Sequence, residues 1–251
     1  MSLIKLFEQT LNDEKRYVSK KSPHFKIKPS VLGSPCMRKV FYSTGMVPED
    51  FQDDVKSKKR MALGDCMHGT FKDVFRKSGK MVEYTSPDGT TPIGIDGKPD
   101  GEFPLTCPEL YIEYAKIDGV FIIDGKLWLG EFKSIKHDYF VALHSTKPEH
   151  LIQGVIYYYV FNKLLEEGKF KHIKELDGFT KAQGIIFLYA NKDNQELVEF
   201  GFTEADQVFK GIVNKIMIAK HNYDHQLLPP KTPDFCRTCS WRLKCQKNEL
   251  K

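Results

Sequence analysis

Two acidic residues and a lysine lie on the two arms of one short stretch, residues 117–133. Asp118 lies on the first arm, and Glu131 and Lys133 lie on the second. The pair Asp124-Gly125 between the arms is typical of a two-residue β-hairpin turn, in which both central residues take a positive φ. A turn of this length fixes the register of the hairpin, so that Asp118 faces Glu131 on one side of the sheet. Lys133, two residues further on, lies on the same side.

This arrangement predicts a defined chemistry. Two facing carboxylates repel each other and destabilise the hairpin unless a positive charge offsets them. Hard cations such as Mg²⁺ prefer carboxylate oxygens, and Lys133 beside such an ion would hold a phosphate group or help to activate water. An acid pair with an adjacent cation is what phosphodiester hydrolysis requires. The alternative interpretation is a solvated hairpin face on which an acid lies beside a lysine.

Composition and charge limit the possible classes of protein. A chain of 251 residues, of which 41% are hydrophobic and 28% charged, can form one large domain or two small ones around a sizeable core. The net charge of +5 permits a polyanionic partner. No apolar run is long enough to span a bilayer, and residues 1–8 lack the apolar core of a signal peptide. We therefore expect a cytoplasmic protein with reduced thiols and no membrane partner.

Hydrophobic periodicity and turn residues predict the elements that must position these groups. In the N-terminal half they are an amphipathic helix over residues 3–18, a helix opened by Ser34-Pro35 and stopped at Gly45, a helix over 55–78, and short strands and turns over 81–110. After the hairpin come a helix opened by a capping box at Thr146 and ending near Glu167, a buried strand over 182–189, its hairpin neighbour over 197–202, and a final helix over about 204–222.

Two of the predicted helices carry polar pairs at i, i+4 spacing, which places both members of each pair on one face. Gly64 and His68 form the first pair, and the glycine would let that helix approach a sheet closely. Gln153 and Tyr157 form the second pair, on a helix that is otherwise largely apolar. A single histidine on a helix is usually a core or surface group, so His68 gains interest only from the residues around it.

A second acidic pattern competes with the hairpin. Pro99-Asp100 would serve as the first acid of a nuclease motif, with Glu113 as the second. Two residues after Glu113, however, the chain has Ala115 where the pattern needs a lysine. Only the hairpin has all three groups.

The cysteines indicate a metal site. Three of the six lie close together near the C-terminus, at Cys236, Cys239 and Cys245. In a reducing compartment this spacing is typical of metal ligands, and a closed site takes four of them. We expect Cys36 to be the fourth, because a helix N-terminus favours a thiolate; Cys66 and Cys107 are the competing candidates. Such a site would link both ends of the chain, and four thiolates accept either zinc or a [4Fe–4S] cluster.

Together these residues resemble the PD-(D/E)XK nuclease superfamily, specifically the RecB-like branch whose nuclease domain carries an iron–sulfur cluster. That branch includes the nuclease domain of the AddB helicase subunit, CRISPR-associated adaptation exonucleases and stand-alone phage exonucleases. The matching motifs run from residue 36 to 245 in the family's order. They are Gly64-x3-His68, Ile117-Asp118-Gly119, Gly130-Glu131-Phe132-Lys133-Ser134, Gln153-x3-Tyr157 and the one-plus-three cysteines Cys36, Cys236, Cys239 and Cys245.

The resemblance implies a role for each matched residue. A catalytic Mg²⁺ or Mn²⁺ would be bound by His68, Asp118, Glu131 and the backbone carbonyl of Phe132. Lys133 would position or activate the attacking water, and Gln153 and Tyr157 would orient the DNA backbone or the other active-site groups. The four matched cysteines would hold a structural [4Fe–4S] cluster. Buried aromatic residues near the cleft, Tyr139, Phe140 and the Tyr157-Tyr158-Tyr159 run among them, are candidates for stacking on unpaired bases. For Tyr158 and Tyr159, ordinary helix packing is the preferred interpretation.

These implications define the expected fold and function. We expect one α/β nuclease domain over residues 1–251, with a restriction-endonuclease-like core, a mixed central β-sheet flanked by helices, and a small cysteine-cluster lobe formed by residues 30–45 and 229–247. The expected function is that of a metal-dependent DNA exonuclease acting 5′→3′ on single strands or DNA ends, with protein partners in recombination, repair or replication. The alternatives are a CRISPR-adaptation nuclease that trims spacer precursors, a non-catalytic DNA-binding subunit and a site-specific endonuclease.

Overall fold

The computed structural model describes residues 24–47, 55–93, 100–203, 205–236 and 239–248, so the helix predicted over residues 3–18 lies outside the described part. The described helices are α1 (Pro29–Leu32), α2 (Met37–Phe41), α3 (Val55–Lys77), α4 (His137–Val141), α5 (Pro148–Glu166), α6 (Asp206–Asp224) and α7 (Arg242–Lys247). The described strands are β1 (Met81–Val82), β2 (Phe103–Cys107), β3 (Ile112–Ile117), β4 (Gly119–Ile123), β5 (Lys126–Ile135), β6 (Gly184–Asn191) and β7 (Leu197–Phe202). None of these helices has both the length and the apolar character needed to cross a membrane.

A mixed five-stranded sheet lies at the centre, in the order β1-β4-β5-β6-β7. Strand β4 runs antiparallel to β1 and β5, β6 runs parallel to β5, and β7 runs antiparallel to β6. The parallel pair needs a long crossover connection, which contains α5. Strands β2 and β3 form a separate antiparallel pair. The predicted α/β class with a mixed central sheet is thus confirmed.

The hairpin predicted around Asp124-Gly125 is formed by β4 and β5. Both turn residues have positive φ, 51° at Asp124 and 70° at Gly125, as a turn of this type requires. The ladder between the two strands ends with the pair Gly119–Gly130. Asp118 therefore lies one position beyond the ladder, next to Glu131 in the predicted register.

Two long helices cover opposite faces of the sheet at β5. On one face, Phe71 and Phe75 of α3 pack against Phe132. On the other face, α5 lies so close to β6 that a Cβ atom at Gly154 would come within 2.3 Å of the Phe187 ring. Because side chains alternate along a strand, Glu131 and Lys133 point away from α3 and towards α5.

Two predicted helix starts are wrong by one or two residues. The N-cap of α2 is Cys36 and not Ser34, whose hydroxyl oxygen instead accepts a hydrogen bond from the Cys36 N–H. The N-cap of α5 is Lys147 and not Thr146, and no side chain caps that helix. Pro148 accounts for the second shift, because proline is favoured at the first helical position, where its missing N–H has no cost.

The two ends of the described chain are in contact. The Arg38 guanidinium donates to the Pro229 carbonyl oxygen at 2.6 Å and to Asn248 Oδ1 at 2.8 Å. The Trp241 indole N–H donates to the Val47 carbonyl oxygen at 3.0 Å. These buried bonds join α2 and the segment after it to the segment around α7.

Candidate active site

The structure brings six of the predicted site residues together beside the β4–β5 hairpin. They come from α3, from the residue preceding β4, from β5 and from α5. We refer to them as the acidic centre: His68, Asp118, Glu131, Lys133, Gln153 and Tyr157.

Glu131 is the most deeply buried acid of this centre, with 3% of its surface exposed. Its Oε1 accepts hydrogen bonds from the Lys133 ammonium at 2.6 Å and from the Gln153 amide at 2.9 Å. Its Oε2 is also buried but has no hydrogen-bond partner among the described groups. Burial and the negative charge of Asp118 raise the pKa of Glu131 to about 8, despite the opposing charge of Lys133.

Asp118 is held at the hairpin by the backbone of β5. Its Oδ2 accepts a hydrogen bond from the Phe132 N–H at 2.7 Å and lies 3.8 Å from His68 Nδ1. Burial lowers the pKa of His68 and outweighs the opposite effect of Asp118. The imidazole is therefore neutral at pH 7, which is the form that binds metal ions.

Lys133, Gln153 and Tyr157 form a chain of hydrogen bonds behind Glu131. Gln153 accepts from the Lys133 ammonium at 3.3 Å through Oε1, and donates to the Tyr157 hydroxyl at 2.8 Å through Nε2. Burial would lower the pKa of Lys133, but the charges of Glu131 and Asp118 outweigh it and raise that pKa. Burial raises the pKa of Tyr157. Both Lys133 and Tyr157 therefore keep their protons at pH 7.

The charges of the acidic centre do not balance. In their ionised forms, Asp118 and Glu131 face a single ammonium, on Lys133, and a neutral imidazole; without an ion, the raised pKa of Glu131 keeps a proton on that carboxyl and relieves the surplus. Two carboxylates, one of them with an unpartnered oxygen, and an imidazole are groups that Mg²⁺ and Mn²⁺ accept as ligands. The donor set therefore fits the expected ion. In the described part of the chain, no three histidine, cysteine or acidic side chains lie close enough together to form an ion site. Glu131 Oε1 accepts hydrogen bonds from Lys133 and Gln153 instead.

A second group of acids lies next to this centre and was not predicted. Lys72, one turn after His68 on α3, bonds Asp100 Oδ1 at 3.1 Å and Glu102 Oε1 at 2.5 Å. Lys116 of β3 pairs with the same two carboxylates. We refer to Lys72, Asp100, Glu102 and Lys116 as the balanced cluster, because its two acids meet two lysines. The i, i+4 spacing of His68 and Lys72 was the sequence signal for this neighbourhood.

The rejected acidic pattern is separated in the structure. Asp100 belongs to the balanced cluster, whereas Glu113 lies on β3 and pairs with Lys26 at 3.8 Å. The side chain of Glu113 is more than half exposed. Asp100 and Glu113 therefore do not share the interactions that a paired-acid site needs.

His150 and Tyr189 were also missed. Tyr189 of β6 pairs with Lys133 across the parallel strands, and His150 Nδ1 lies 2.9 Å from the Tyr189 hydroxyl. His150 comes three residues before Gln153 on α5, so its spacing was a usable signal. The place of Tyr189 depends on the β5–β6 register, which no local pattern gives.

Cys239 lies within electrostatic reach of Cys36 and Cys245. Cys36 and Cys245 are buried and Cys239 is half-buried. Burial raises the pKa of the Cys239 thiol, and negative charge on Cys36 or Cys245 raises it further. Cys236 is joined to this group through its carbonyl oxygen, which accepts a hydrogen bond from the Cys239 N–H at 3.2 Å.

The competing cysteines lie elsewhere. Cys66 is exposed on α3. Cys107 ends β2 and its thiol lies 3.3 Å from Glu109 Oε2. The structure therefore places Cys36, and not these two, beside the C-terminal thiols.

Comparison with known proteins bears on the fold. No family model matches this chain, and no curated protein matches it. A solved structure described as the crystal structure of SSO0001 is similar to it, with 97% of this chain and 96% of that chain covered. The TM-score is 0.50 and the sequence identity is 15%. At this identity the similarity concerns the fold alone.

Proposed function

We propose that this chain is a metal-dependent DNA exonuclease that hydrolyses phosphodiester bonds of single strands or DNA ends. The observation that carries the proposal is the state of Glu131, a buried carboxylate with one unpartnered oxygen beside Asp118 and Lys133. A buried carboxylate without full pairing destabilises a fold. A cation bound from solution would remove that cost, and the family resemblance supports the same assignment.

Mg²⁺ or Mn²⁺ would be held by His68, Asp118, Glu131 and the backbone carbonyl of Phe132. When bound, the ion supplies positive charge that offsets both the carboxylates and the substrate phosphate. The imidazole makes the donor set softer than one built from oxygen atoms alone, which favours Mn²⁺ relative to Mg²⁺.

The chain's own residues would do the remaining work. The Lys133 ammonium, held 2.6 Å from Glu131 Oε1, would orient the attacking water and bind the phosphate. Gln153 forms hydrogen bonds with both Glu131 and Lys133 and would hold the two side chains in position during the reaction. Tyr157, protonated at pH 7, would fix the Gln153 amide through its hydroxyl.

DNA would approach over the α4–α5 side of the centre. Tyr139 of α4 is 60% exposed, and the Lys147 ammonium lies 4.6 Å from the centre of its ring. An exposed aromatic ring beside a lysine suits an unpaired base and its phosphate. Tyr158 and Tyr159 instead pack within the fold, where Tyr159 stacks on Phe209. We propose a 5′→3′ polarity and a role in recombination, repair or replication on the family resemblance.

The test is cleavage of end-labelled DNA. Single- and double-stranded oligonucleotides labelled at either end are incubated with the protein and Mn²⁺, Mg²⁺ or a chelator. The proposal predicts a ladder of products with either ion and none with the chelator, and the labelled end that disappears first gives the polarity. Absence of cleavage of every substrate with both ions would overturn it.

We also propose that the fold is a restriction-endonuclease-like core and that Cys36, Cys236, Cys239 and Cys245 bind a [4Fe–4S] cluster in a small lobe made from both chain ends. Support comes from the contact between those ends and from the effect of Cys36 and Cys245 on the pKa of the Cys239 thiol. Protein purified without oxygen should be brown, and Cys239→Ser should lose the colour and melt at a lower temperature. Colourless protein with stoichiometric zinc would show that zinc occupies the site.

A further inference from the structure

His150 lies on the same side of the sheet as Lys133. Residues paired across parallel strands point to one face, and Tyr189 is the pairing partner of Lys133. The His150 ring stacks against the Tyr189 ring with centroids 5.6 Å apart. His150 also lies on α5, the helix that brings Gln153 to Glu131. The imidazole is therefore a neighbour of the acidic centre, and the roles described above do not use it.

The hydrogen bonds of Tyr189 favour one tautomer of His150. The Tyr189 hydroxyl oxygen accepts from the Lys147 N–H at 3.2 Å and lies 2.9 Å from His150 Nδ1. The hydroxyl proton then has one acceptor among the described groups, Nδ1. A neutral imidazole that accepts at Nδ1 carries its proton at Nε2. No described group takes the Nε2–H.

The charges near His150 favour an anionic partner for this N–H. Burial, together with the ammonium groups of Lys133 and Lys147, lowers the pKa of His150 to about 3. No carboxylate in the described part of the chain contributes appreciably to that pKa. A neutral donor between two ammonium groups suits the oxygen of an anion, and the anion that the proposed function brings here is a DNA phosphate.

We propose that His150 donates its Nε2–H to a non-bridging oxygen of the phosphate that is cleaved, and that Tyr189 is the positioning residue that holds this tautomer. The inference rests on the proposed nuclease function and adds a substrate contact from α5 to it. His150 stabilises the charge that develops on the phosphate, and it exchanges no proton with it.

Matched substitutions separate the contact from a packing role. His150→Asn places an amide near the position of Nδ1 and can still form a hydrogen bond with Tyr189. His150→Gln places an amide near the position of Nε2 and can still reach the phosphate. We expect His150→Ala and His150→Asn to lower kcat about 10- to 100-fold, the effect of losing one hydrogen bond to a charged group. His150→Gln should retain more activity than His150→Asn, and melting temperatures show which variants fold.

Tyr189→Phe keeps the ring and removes the hydroxyl. We expect a loss of about twofold in kcat with KM little changed, because an even mixture of the two tautomers leaves half of the molecules competent. Nitrogen NMR of the labelled imidazole should show the Nε2–H form in the wild-type protein and a mixture of both tautomers in Tyr189→Phe. A wild-type His150 protonated at Nδ1 would overturn the proposal.

Phosphorothioate substrates test the contact directly. Sulfur in place of one non-bridging oxygen weakens a hydrogen bond accepted at that position. We expect one diastereomer to slow the wild-type protein and to slow His150→Ala much less, because that contact is already missing. A cleaving wild type whose sulfur effects are the same in His150→Ala overturns this inference and leaves the proposed function intact. A wild type that cleaves nothing overturns both.

Discussion

The acidic centre and the balanced cluster are neighbours with the same side-chain chemistry and different charge balance. In the balanced cluster, Asp100 and Glu102 meet Lys72 and Lys116, so two negative charges face two positive ones. In the acidic centre, Glu131 and Asp118 meet one lysine and a neutral histidine. Only the centre contains a buried carboxylate oxygen without a partner.

This difference separates a structural use of acids from a functional one. A carboxylate cluster that is neutralised by its own lysines contributes to the fold without any ligand. A cluster with surplus negative charge must either keep a proton, as Glu131 does at neutral pH, or bind a cation from outside. Burial raises the pKa of both Glu102 and Glu131, so burial alone does not distinguish the two regions. They differ in the number of lysines that face their two acids.

The largest expected effect is on catalysis. Glu131→Gln keeps the size of the side chain and removes the charge, and we expect cleavage to fall at least about 1000-fold because the ion loses a ligand. Asp100→Asn makes the same change in the balanced cluster and should leave the rate within about threefold. Rates on end-labelled single strands with Mn²⁺ provide the comparison. Equal losses in the two variants would contradict the distinction between the regions.

Lys133→Met removes the only lysine of the acidic centre. We expect a decrease of about 100-fold in kcat, because the ammonium orients the water and the phosphate, with KM changing less. Lys133→Arg keeps the charge and should recover part of the rate. Single-turnover cleavage at saturating enzyme measures this step, and a Lys133→Met rate close to that of the wild type would remove Lys133 from the mechanism.

The stability effects should have the opposite order. Asp100→Asn leaves Lys72 and Lys116 with one carboxylate between them and should lower the free energy of unfolding by about 2 kcal/mol. Glu131→Gln resembles the protonated carboxyl that the metal-free protein keeps at neutral pH, so it should not destabilise that protein. Urea unfolding in the presence of a chelator measures both. A Glu131→Gln variant less stable than Asp100→Asn would show that Glu131 serves the fold.

The stability of the metal-free protein should also depend on pH. The pKa of Glu131 is raised from 4.5 to about 8 in the folded protein, so the folded state keeps a proton that the unfolded chain releases. This contribution to stability is complete below about pH 4.5 and is lost as the pH rises towards 8.

The matched measurement is urea unfolding of metal-free wild type and Glu131→Gln at about pH 5 and pH 8. Relative to the wild type, the free energy of unfolding of Glu131→Gln should rise by about 3 kcal/mol between the two pH values, and Mg²⁺ should reduce the difference at pH 8. A constant difference between the two proteins would mean that Glu131 does not titrate in this range.

Local sequence rules predicted the elements and the placing of the acids. Asp124-Gly125 defined the hairpin turn, and the fixed register then placed Asp118 beside Glu131. The i, i+4 spacing likewise placed Gln153 and Tyr157 on one helix face, where they bond each other. These predictions succeeded because each depends on a few adjacent residues.

The parts that were missed depend on contacts distant in sequence. Lys72 reaches Asp100 and Glu102 across 28 and 30 residues, and no local pattern specifies that meeting. Tyr189 meets Lys133 because β5 and β6 are parallel, and a crossover leaves the register of such a pair open until the intervening helix packs.

Manganese binding tests the central claim most directly. Free Mn²⁺ gives a paramagnetic resonance signal that decreases when the ion binds, so a titration of metal-free protein reports occupancy without any DNA. We expect the wild type and Asp100→Asn to bind Mn²⁺, and Asp118→Asn and Glu131→Gln to bind it far more weakly. Equal binding by wild type and Glu131→Gln, or no binding by folded wild type, would contradict it.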